Sequence, residues 1–195
     1  MQVQSRLRAV VEEAELVDQA VYSAIAATST PDLDRAMRRL SEAANYSRLW
    51  IASSMLLAAG GPRGRLAAGA GLASVAATSA LVNLGVKPLG RRRRPDRNAA
   101  DVPLPRQVEM PGSRSFPSGH TASAVAFAST VGRVLPAAGL PIRCLATLVA
   151  YSRVHTGVHY PADVVAGALI GAAMADLVGE GVTNYLARRG PRQAE

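Results

Sequence analysis

Long uncharged stretches alternate with short charged segments, and this pattern restricts the chain to a small set of folds. Leu66–Val86 contains no charged residue. As an α-helix it would be about 31 Å long, enough to cross the hydrocarbon core of a bilayer. Ala162–Val182 carries only Asp163, Asp176 and Glu180. A soluble domain would have its charges interspersed, so this segregation predicts an all-α integral membrane bundle.

Three shorter apolar segments extend the predicted bundle to about five transmembrane helices. They are Leu49–Gly61, Thr121–Leu135 and Ile142–Tyr151, with turns at Pro62–Arg65 and Pro136–Pro141. The first is short for a bilayer, so it extends backwards or lies inside protein. The abundance of Gly, Ala and Ser in Leu66–Val86 favours close helix packing. If all five segments span, the loops at 87–116 and 152–162 lie at the same membrane face.

The N-terminal region has a different pattern, in which apolar and charged residues share each helix. In residues 7–27 the apolar positions recur at helical spacing, and a turn at Pro31 precedes a second amphipathic helix. Asp32 and Asp34 follow that turn without a preceding apolar strand, so we interpret them as surface charges. Acids such as Glu12 occupy the place of a signal-peptide core, so no cleavable signal is expected. The predicted organisation is one domain over 1–195, with amphipathic helices in 1–47, the membrane bundle in 48–182 and a polar tail in 183–195.

The chain is strongly basic, with a formal net charge of +8. Such a balance is typical of proteins that bind anionic lipid, nucleic acid or a phosphorylated substrate. The run Lys87–Pro95 alone is typical of a juxtamembrane lipid-binding segment. It lies, however, on the face predicted for both histidine-containing stretches. Lys87, Arg94 and Arg153 could therefore bind phosphoryl oxygens, and we expect a lipid phosphate and membrane lipids as partners, without nucleic acid.

The stretch Tyr151–Asp163 combines one arginine, two histidines and an aspartate. His159 and Asp163 are four residues apart, so a helix beginning near Pro161 would place them within one turn of each other. An aspartate that accepts a hydrogen bond from one imidazole nitrogen leaves the other nitrogen free to attack an electrophile. We therefore predict that His159 and Asp163 form a catalytic pair.

The same stretch has an alternative interpretation as a metal site. His155, His159 and Asp163 are spaced i, i+4, i+8, as on one face of a helix. Gly157 and Pro161 would interrupt a continuous helix there. We therefore favour the pair without metal or cofactor, and expect a supporting or structural role for His155.

The tetrapeptide "PSGH" at 117–120 opens an apolar segment. Ser118 and Gly119 would present free backbone N–H groups at the helix start, where anions bind. His120 would lie within reach as a proton donor to the leaving oxygen. An ordinary capped helix start with a surface histidine has the same pattern, so the prediction depends on all three stretches meeting around one phosphate.

The order and spacing of these residues resemble a known family signature. Lys87-x6-Arg94-Pro95, Pro117-Ser118-Gly119-His120 and Ser152-Arg153-x5-His159-x3-Asp163 together resemble the tripartite signature of the type 2 phosphatidic acid phosphatase (PAP2) superfamily. The resemblance implies a metal-independent phosphomonoesterase in which His159 forms a phosphohistidine and Asp163 orients it. It implies that His120 protonates the leaving group and then activates water. The phosphate-binding residues that it implies are Lys87, Arg94, Ser118, Gly119 and Arg153.

The resemblance also implies a substrate class, a lipid monophosphate or diphosphate in the bacterial plasma membrane. Similarity to small actinobacterial members favours decaprenylphosphoryl-5-phosphoribose of cell-wall arabinan synthesis. Undecaprenyl diphosphate, phosphatidic acid and phosphatidylglycerol phosphate are alternatives. More distant alternatives are a vanadate-dependent haloperoxidase, which shares the superfamily pocket, and a non-enzymatic membrane protein with a basic loop. The membrane face of the site and the oligomeric state are left open.

Overall fold

A computed structural model describes residues 2–188, which form seven α-helices and no strand. The α-helices are α1 (Gln2–Ala27), α2 (Pro31–Ala43), α3 (Arg48–Ala59), α4 (Pro62–Ala80), α5 (Gly119–Val134), α6 (Pro136–His155) and α7 (Pro161–Arg188). A π-helical turn at Leu81–Val86 continues α4, and 3₁₀ turns cover Asn45–Ser47, Lys87–Leu89 and Leu104–Arg106. The all-α prediction is confirmed.

The predicted apolar segments are helical over most of their length, but several boundaries differ from the prediction. The predicted turns at Pro62–Arg65 and Pro136–Pro141 are wrong, because α4 already begins at Pro62 and α6 at Pro136. Proline suits the first helical position, where no N–H is needed and its fixed φ is already helical. At the other end, α7 continues beyond Val182 to Arg188, so the predicted polar tail begins within a helix. Residues 189–195 of that tail lie outside the described residues.

Two helices among the described residues are long and apolar enough to cross a membrane. They are Pro62–Leu89 and Pro161–Val182. By comparison, α3 has 12 residues and α5 has 16, fewer than the roughly 20 that a bilayer requires. Length and composition thus support two of the predicted spans, and the remaining three stay a prediction.

Helix α5 lies at the centre of the bundle and packs against α4, α6 and α7. Trp50 of α3 contacts Phe127 of α5, with ring centroids 5.1 Å apart. The contact between α5 and α7 is close: a Cβ on Gly171 would lie 2.3 Å from the carbonyl oxygen of Ala122, and one on Gly167 would lie 2.4 Å from that of Ser118. Only glycine allows this approach, which brings the start of α5 beside the start of α7.

The N-terminal helices pack against the end of the bundle that carries the signature residues. α1 contacts α6 and α7, and α2 contacts α6 and the turn Leu104–Arg106. The interpretation of Asp34 as a surface charge is wrong. Asp34 is buried, lies 3.0 Å from the guanidinium of Arg106 and hydrogen-bonds to His155 over 2.8 Å. Asp32 is exposed, as expected. The difference arises because the face of α2 that carries Asp34 packs against α6.

Candidate active site

His159 and Asp163 face each other where α7 begins. His159 lies in the loop before Pro161, and Asp163 is in the first turn of α7. The Nδ1 atom of His159 is 3.5 Å from Oδ2 of Asp163, and both side chains are buried. The same carboxylate oxygen accepts hydrogen bonds from the Ser115 hydroxyl and, over 2.9 Å, from the Tyr160 N–H. These donors fix the carboxylate in its ionised form, so that it orients the imidazole.

The second imidazole nitrogen of His159 faces a guanidinium group. Nη1 of Arg94 is 3.2 Å from Nε2 of His159 and donates to the Val158 carbonyl over 2.7 Å. The Arg94 Nε donates to the Ser113 carbonyl over 2.9 Å. A guanidinium only donates, so Nε2 is the accepting nitrogen and the imidazole proton is on Nδ1, beside Asp163. In this tautomer the Nε2 lone pair points toward Arg94, and it becomes available for nucleophilic attack once a bound phosphate takes up the guanidinium N–H groups.

His159 is neutral near pH 7. The pKa of His159 is lowered to about 4, chiefly by burial and further by the charges of Arg94 and Arg153, although the hydrogen bond to Asp163 opposes this. A neutral His159 is the form that can act as a nucleophile.

Lys87 and Gly119 form another part of the site. The Lys87 ammonium donates to the Ser113 hydroxyl over 3.1 Å. Its Nζ atom is 3.8 Å from the position that a Cβ on Gly119 would occupy. Gly119 is the first residue of α5, where backbone N–H groups lack intrahelical partners. An ammonium group and the N-terminus of a helix therefore lie side by side, an arrangement that suits the binding of an anion.

The backbone N–H of Ser118 was predicted to be free to bind an anion, and the structure shows otherwise. Its backbone N–H is not free, because it donates to the carbonyl oxygen of Asp163 over 2.9 Å. Its buried hydroxyl is 2.9 Å from Oγ1 of Thr121. These contacts tie the start of α5 to the first turn of α7, so Ser118 fixes the position of its neighbours in the site.

Arg153 lies in the last turn of α6 and is 1% exposed. Its Nη1 donates to the Ser41 hydroxyl, and its Nε has no hydrogen-bond partner among the described residues. A buried guanidinium with an unpartnered N–H group indicates an anion site. His120 lies nearby, with its Nε2 2.9 Å from Oδ1 of Asn45.

Two cavities meet at His120. One, of about 320 Å³, is lined among others by Trp50, Asn83, Lys87 and Gly119. The other, of about 380 Å³, is lined among others by Asn45, Tyr46, Glu109 and Arg153. The structure thus brings all three signature stretches to one place, with space on both sides of His120.

His155 does not join this site. Its Nε2 is 2.8 Å from Oδ1 of Asp34, and its Nδ1 is 3.2 Å from the Tyr151 hydroxyl. The alternative metal site of His155, His159 and Asp163 therefore lacks convergent side chains. Within residues 2–188, no group of three or more His, Cys, Asp or Glu side chains could hold a metal ion.

Several residues in the site were not predicted from the sequence: Asp18, Ser41, Asn45, Arg92, Ser113 and Ser115. For Arg92 a signal existed. The backbone is extended at the preceding Gly90, and Arg92 and Arg94 are half-buried whereas Arg91 and Arg93 are exposed. Side chains alternate along extended backbone, so assigning Arg94 to the site also predicts Arg92. The other residues meet the site only through packing of distant elements.

Known proteins that are similar to this chain are phosphatases. The PAP2 superfamily matches residues 66–184. The decaprenylphosphoryl-5-phosphoribose phosphatase of Mycobacterium tuberculosis is 38% identical over 169 residues, which cover 83% of this chain and 88% of that protein. The protein of the same name from Mycolicibacterium smegmatis is 38% identical over 163 residues, covering 80% and 81%.

Solved structures share the fold. The transmembrane PAP2 type phosphatidylglycerolphosphate phosphatase from Bacillus subtilis has a TM-score of 0.65 at 25% identity, covering 93% of this chain and 90% of its own. LpxE from Aquifex aeolicus has a TM-score of 0.67 at 23% identity, covering 83% and 94%. The family match over more than half of the sequence, together with these relatives, establishes that the chain belongs to the PAP2 superfamily.

Proposed function

We propose that this chain is a membrane phosphatase that hydrolyses a lipid phosphomonoester, with decaprenylphosphoryl-5-phosphoribose as its substrate. The observation that carries the proposal is the orientation of His159, whose Nδ1 faces Asp163 while its Nε2 faces Arg94. A phosphate bound by that guanidinium would lie beside the nucleophilic nitrogen. The names of the relatives that are 38% identical supply the substrate.

The first step transfers the phosphoryl group to His159. Its Nε2 forms a bond to phosphorus while the bond from phosphorus to the sugar oxygen breaks, and His120 gives its proton to that oxygen. The phosphate dianion stabilises the protonated form of His120 before the step. Lys87, Arg94 and Arg153 bind the phosphoryl oxygens. The imidazole ring becomes positively charged, and the Asp163 carboxylate stabilises that charge.

The second step releases phosphate. Neutral His120 takes a proton from water as the water oxygen bonds to phosphorus and the bond from phosphorus to Nε2 of His159 breaks. His159 returns to its neutral form, and His120 holds the proton for the next turnover. Side chains of the chain itself carry every charge in both steps, so the proposed reaction uses no metal.

A lipid substrate is supported by an apolar groove next to the site. The groove has a volume of about 500 Å³, and its apolar lining includes Ile51 of α3 and Leu72, Val75 and Leu84 from α4 and the π-helical turn. It shares Ser47, Ser79 and Asn83 with the cavity that Lys87 lines. A prenyl chain in the groove would place its head group at the cations. We also propose that five helices cross the plasma membrane and that the site lies at one of the two membrane–water interfaces.

The substrate assignment is tested with purified protein in detergent micelles. Phosphate release is measured from decaprenylphosphoryl-5-phosphoribose, undecaprenyl diphosphate, phosphatidic acid and phosphatidylglycerol phosphate, each with and without EDTA. We expect the highest kcat/KM for the first substrate and no effect of EDTA. A higher value for a glycerolipid would contradict the substrate, and loss of activity with EDTA would contradict the metal-free reaction.

The covalent intermediate is tested with 4-nitrophenyl phosphate, whose leaving group needs no proton. His120→Asn should still be phosphorylated but should hydrolyse the phosphohistidine slowly, because it lacks the base. We expect a burst of nitrophenolate and ³²P label on the protein. The control His120→Asn/His159→Gln should show neither. Label that persists in this control would place the phosphoryl group on another residue.

A further inference from the structure

A carboxylate of the N-terminal helix reaches the site. Asp18 of α1 is 7% exposed. Its Oδ1 accepts the Ala162 N–H over 2.7 Å, and its Oδ2 is 2.5 Å from Nη2 of Arg92. Asp18 therefore contacts the first turn of α7, which carries Asp163, although about 140 residues separate the two positions in sequence.

Arg92 links Asp18 to the Asp163 carboxylate. Its Nη1 is 3.0 Å from Oδ1 of Asp163, the oxygen that does not face His159. Its guanidinium also lies over the Tyr160 ring, 4.3 Å from the centroid. The backbone carbonyl of Arg92 accepts the Ser115 N–H over 3.1 Å. The guanidinium is thus held beside Asp163 by Asp18 and the Tyr160 ring, and the backbone of Arg92 is held by Ser115.

A lone Arg92 would weaken the catalytic pair. A guanidinium at 3.0 Å draws electron density from Asp163 and makes that carboxylate a poorer partner for a positively charged imidazole ring. Asp18 offsets this charge. With a neutral His159, the set of Asp18, Arg92 and Asp163 carries one net negative charge, which is the charge that a phosphorylated ring requires.

We propose that Asp18 is a positioning residue for phosphoryl transfer, which acts through Arg92 to hold the Asp163 carboxylate against His159 and to preserve its negative charge. The inference rests on the proposed function. It makes α1, an amphipathic helix outside the signature, part of the active-site framework.

Other charged and titratable groups lie around Asp18, Arg92 and Asp163, on the elements that pack against them. They are Arg94 and Asp96 of the loop before α5, Arg153 of α6, and His159 and Tyr160 of the loop before α7. None of them contacts Asp18 by a hydrogen bond or ion pair among the described residues. The effect of Asp18 on the pair therefore passes through Arg92 and the Ala162 N–H.

The test is Asp18→Asn, which preserves the shape of the side chain and removes its charge. Turnover of 4-nitrophenyl phosphate is measured, so the result does not depend on the lipid. We expect kcat to fall roughly ten- to a hundredfold, by analogy with the loss of a residue that orients the ligand of a metal site. KM should change less than about twofold, because the phosphate-binding cations are untouched. The matched control is Glu15→Gln, an equal charge change at an exposed site of α1, which should retain wild-type turnover.

A pH profile separates positioning from simple structural support. Loss of the Asp18 charge should lower the pKa of His159 further and shift the acid limb of kcat/KM to lower pH. A change in stability alone would not move that limb. In the background of Arg92→Gln, Asp18→Asn should cause little further loss of kcat, because the link is already broken.

The outcomes distinguish this inference from the proposed function. Wild-type kcat and pH profile in Asp18→Asn, with His159→Gln inactive, would overturn only the role of Asp18. Turnover that persists in His159→Gln would overturn the proposed function. If Asp18→Asn does not fold, Arg92→Lys replaces it, because a lysine keeps the charge but cannot bridge two carboxylates. The same selective loss of kcat is then expected, and wild-type kcat would reject the inference.

Discussion

At the scale of single residues, burial of His159 links stability to pH. The pKa of His159 is about 4 in the folded chain and about 6.5 when the histidine is exposed by unfolding. Between these values only the unfolded chain binds the proton, so the free energy of unfolding should fall as the pH is lowered from about 6.5 to about 4.

This prediction is checked by thermal unfolding in detergent across that pH range. His159→Gln should show a smaller loss of stability on acidification than the wild type, because glutamine does not titrate. Glu15→Gln should keep the wild-type slope. An unchanged slope in His159→Gln would mean that burial of this histidine does not disfavour its protonated form.

Residues whose chemistry is tied to a fixed spacing could be predicted from the sequence, and the others could not. His159 and Asp163 are four apart, and Arg94 lies a set distance from Lys87, so residue type and spacing indicated their roles. Ser115 and Asp18 are common polar residues that gain significance only when folding brings them to Asp163. No local pattern encodes that approach.

At the scale of helices, the close contact of α5 and α7 holds the two halves of the site together. A Cβ on Gly171 would lie 2.3 Å from the carbonyl oxygen of Ala122, whereas one on Gly181 of the same helix would meet nothing within 4 Å. Gly171→Ala should therefore force the helices apart, at a cost of about 1–3 kcal/mol. Because Ser118 donates to Asp163 across this contact, turnover should fall too.

The matched control is Gly181→Ala, which should leave turnover unchanged and stabilise the helix by up to about 1 kcal/mol. Unfolding temperature and phosphate release are measured for both variants. Equal unfolding temperatures would contradict the close contact. The sequence predicted close packing for Leu66–Val86, not for α7. It could not show which glycines of α7 face α5, because that depends on the rotation of α7.

At the scale of the whole molecule, contacts with the site restrict the path of the chain through a membrane. Asp18 contacts Arg92 and the start of α7, so α1 lies at the same end of the bundle as the site. Pro62–Leu89 is long enough to span, and Lys87 near its end is also in the site. If this helix crosses the membrane, Arg63 lies at the opposite face. The chain between Asp18 and Arg63 must then return to that face, and we predict that α3 does so as part of this return.

The same reasoning applies to α5 and α6, which start and end at the site through His120 and Arg153. Either both helices cross or neither does. Their lengths of 16 and 20 residues correspond to about 24 and 30 Å, close to a hydrocarbon thickness of about 30 Å. The exposed Ala137 at the junction of α5 and α6 therefore distinguishes five spans from fewer.

We expect five crossings, and a membrane-impermeant maleimide applied to intact cells and to inverted vesicles tests this. In a Cys144→Ser background, Asp101→Cys should be labelled from one side of the membrane and Ala137→Cys from the other. Arg63→Cys serves as a reference, because α4 should place it on the side opposite Asp101→Cys whether or not α5 and α6 cross. Labelling of Ala137→Cys from the same side as Asp101→Cys would mean that α5 and α6 fold back without crossing.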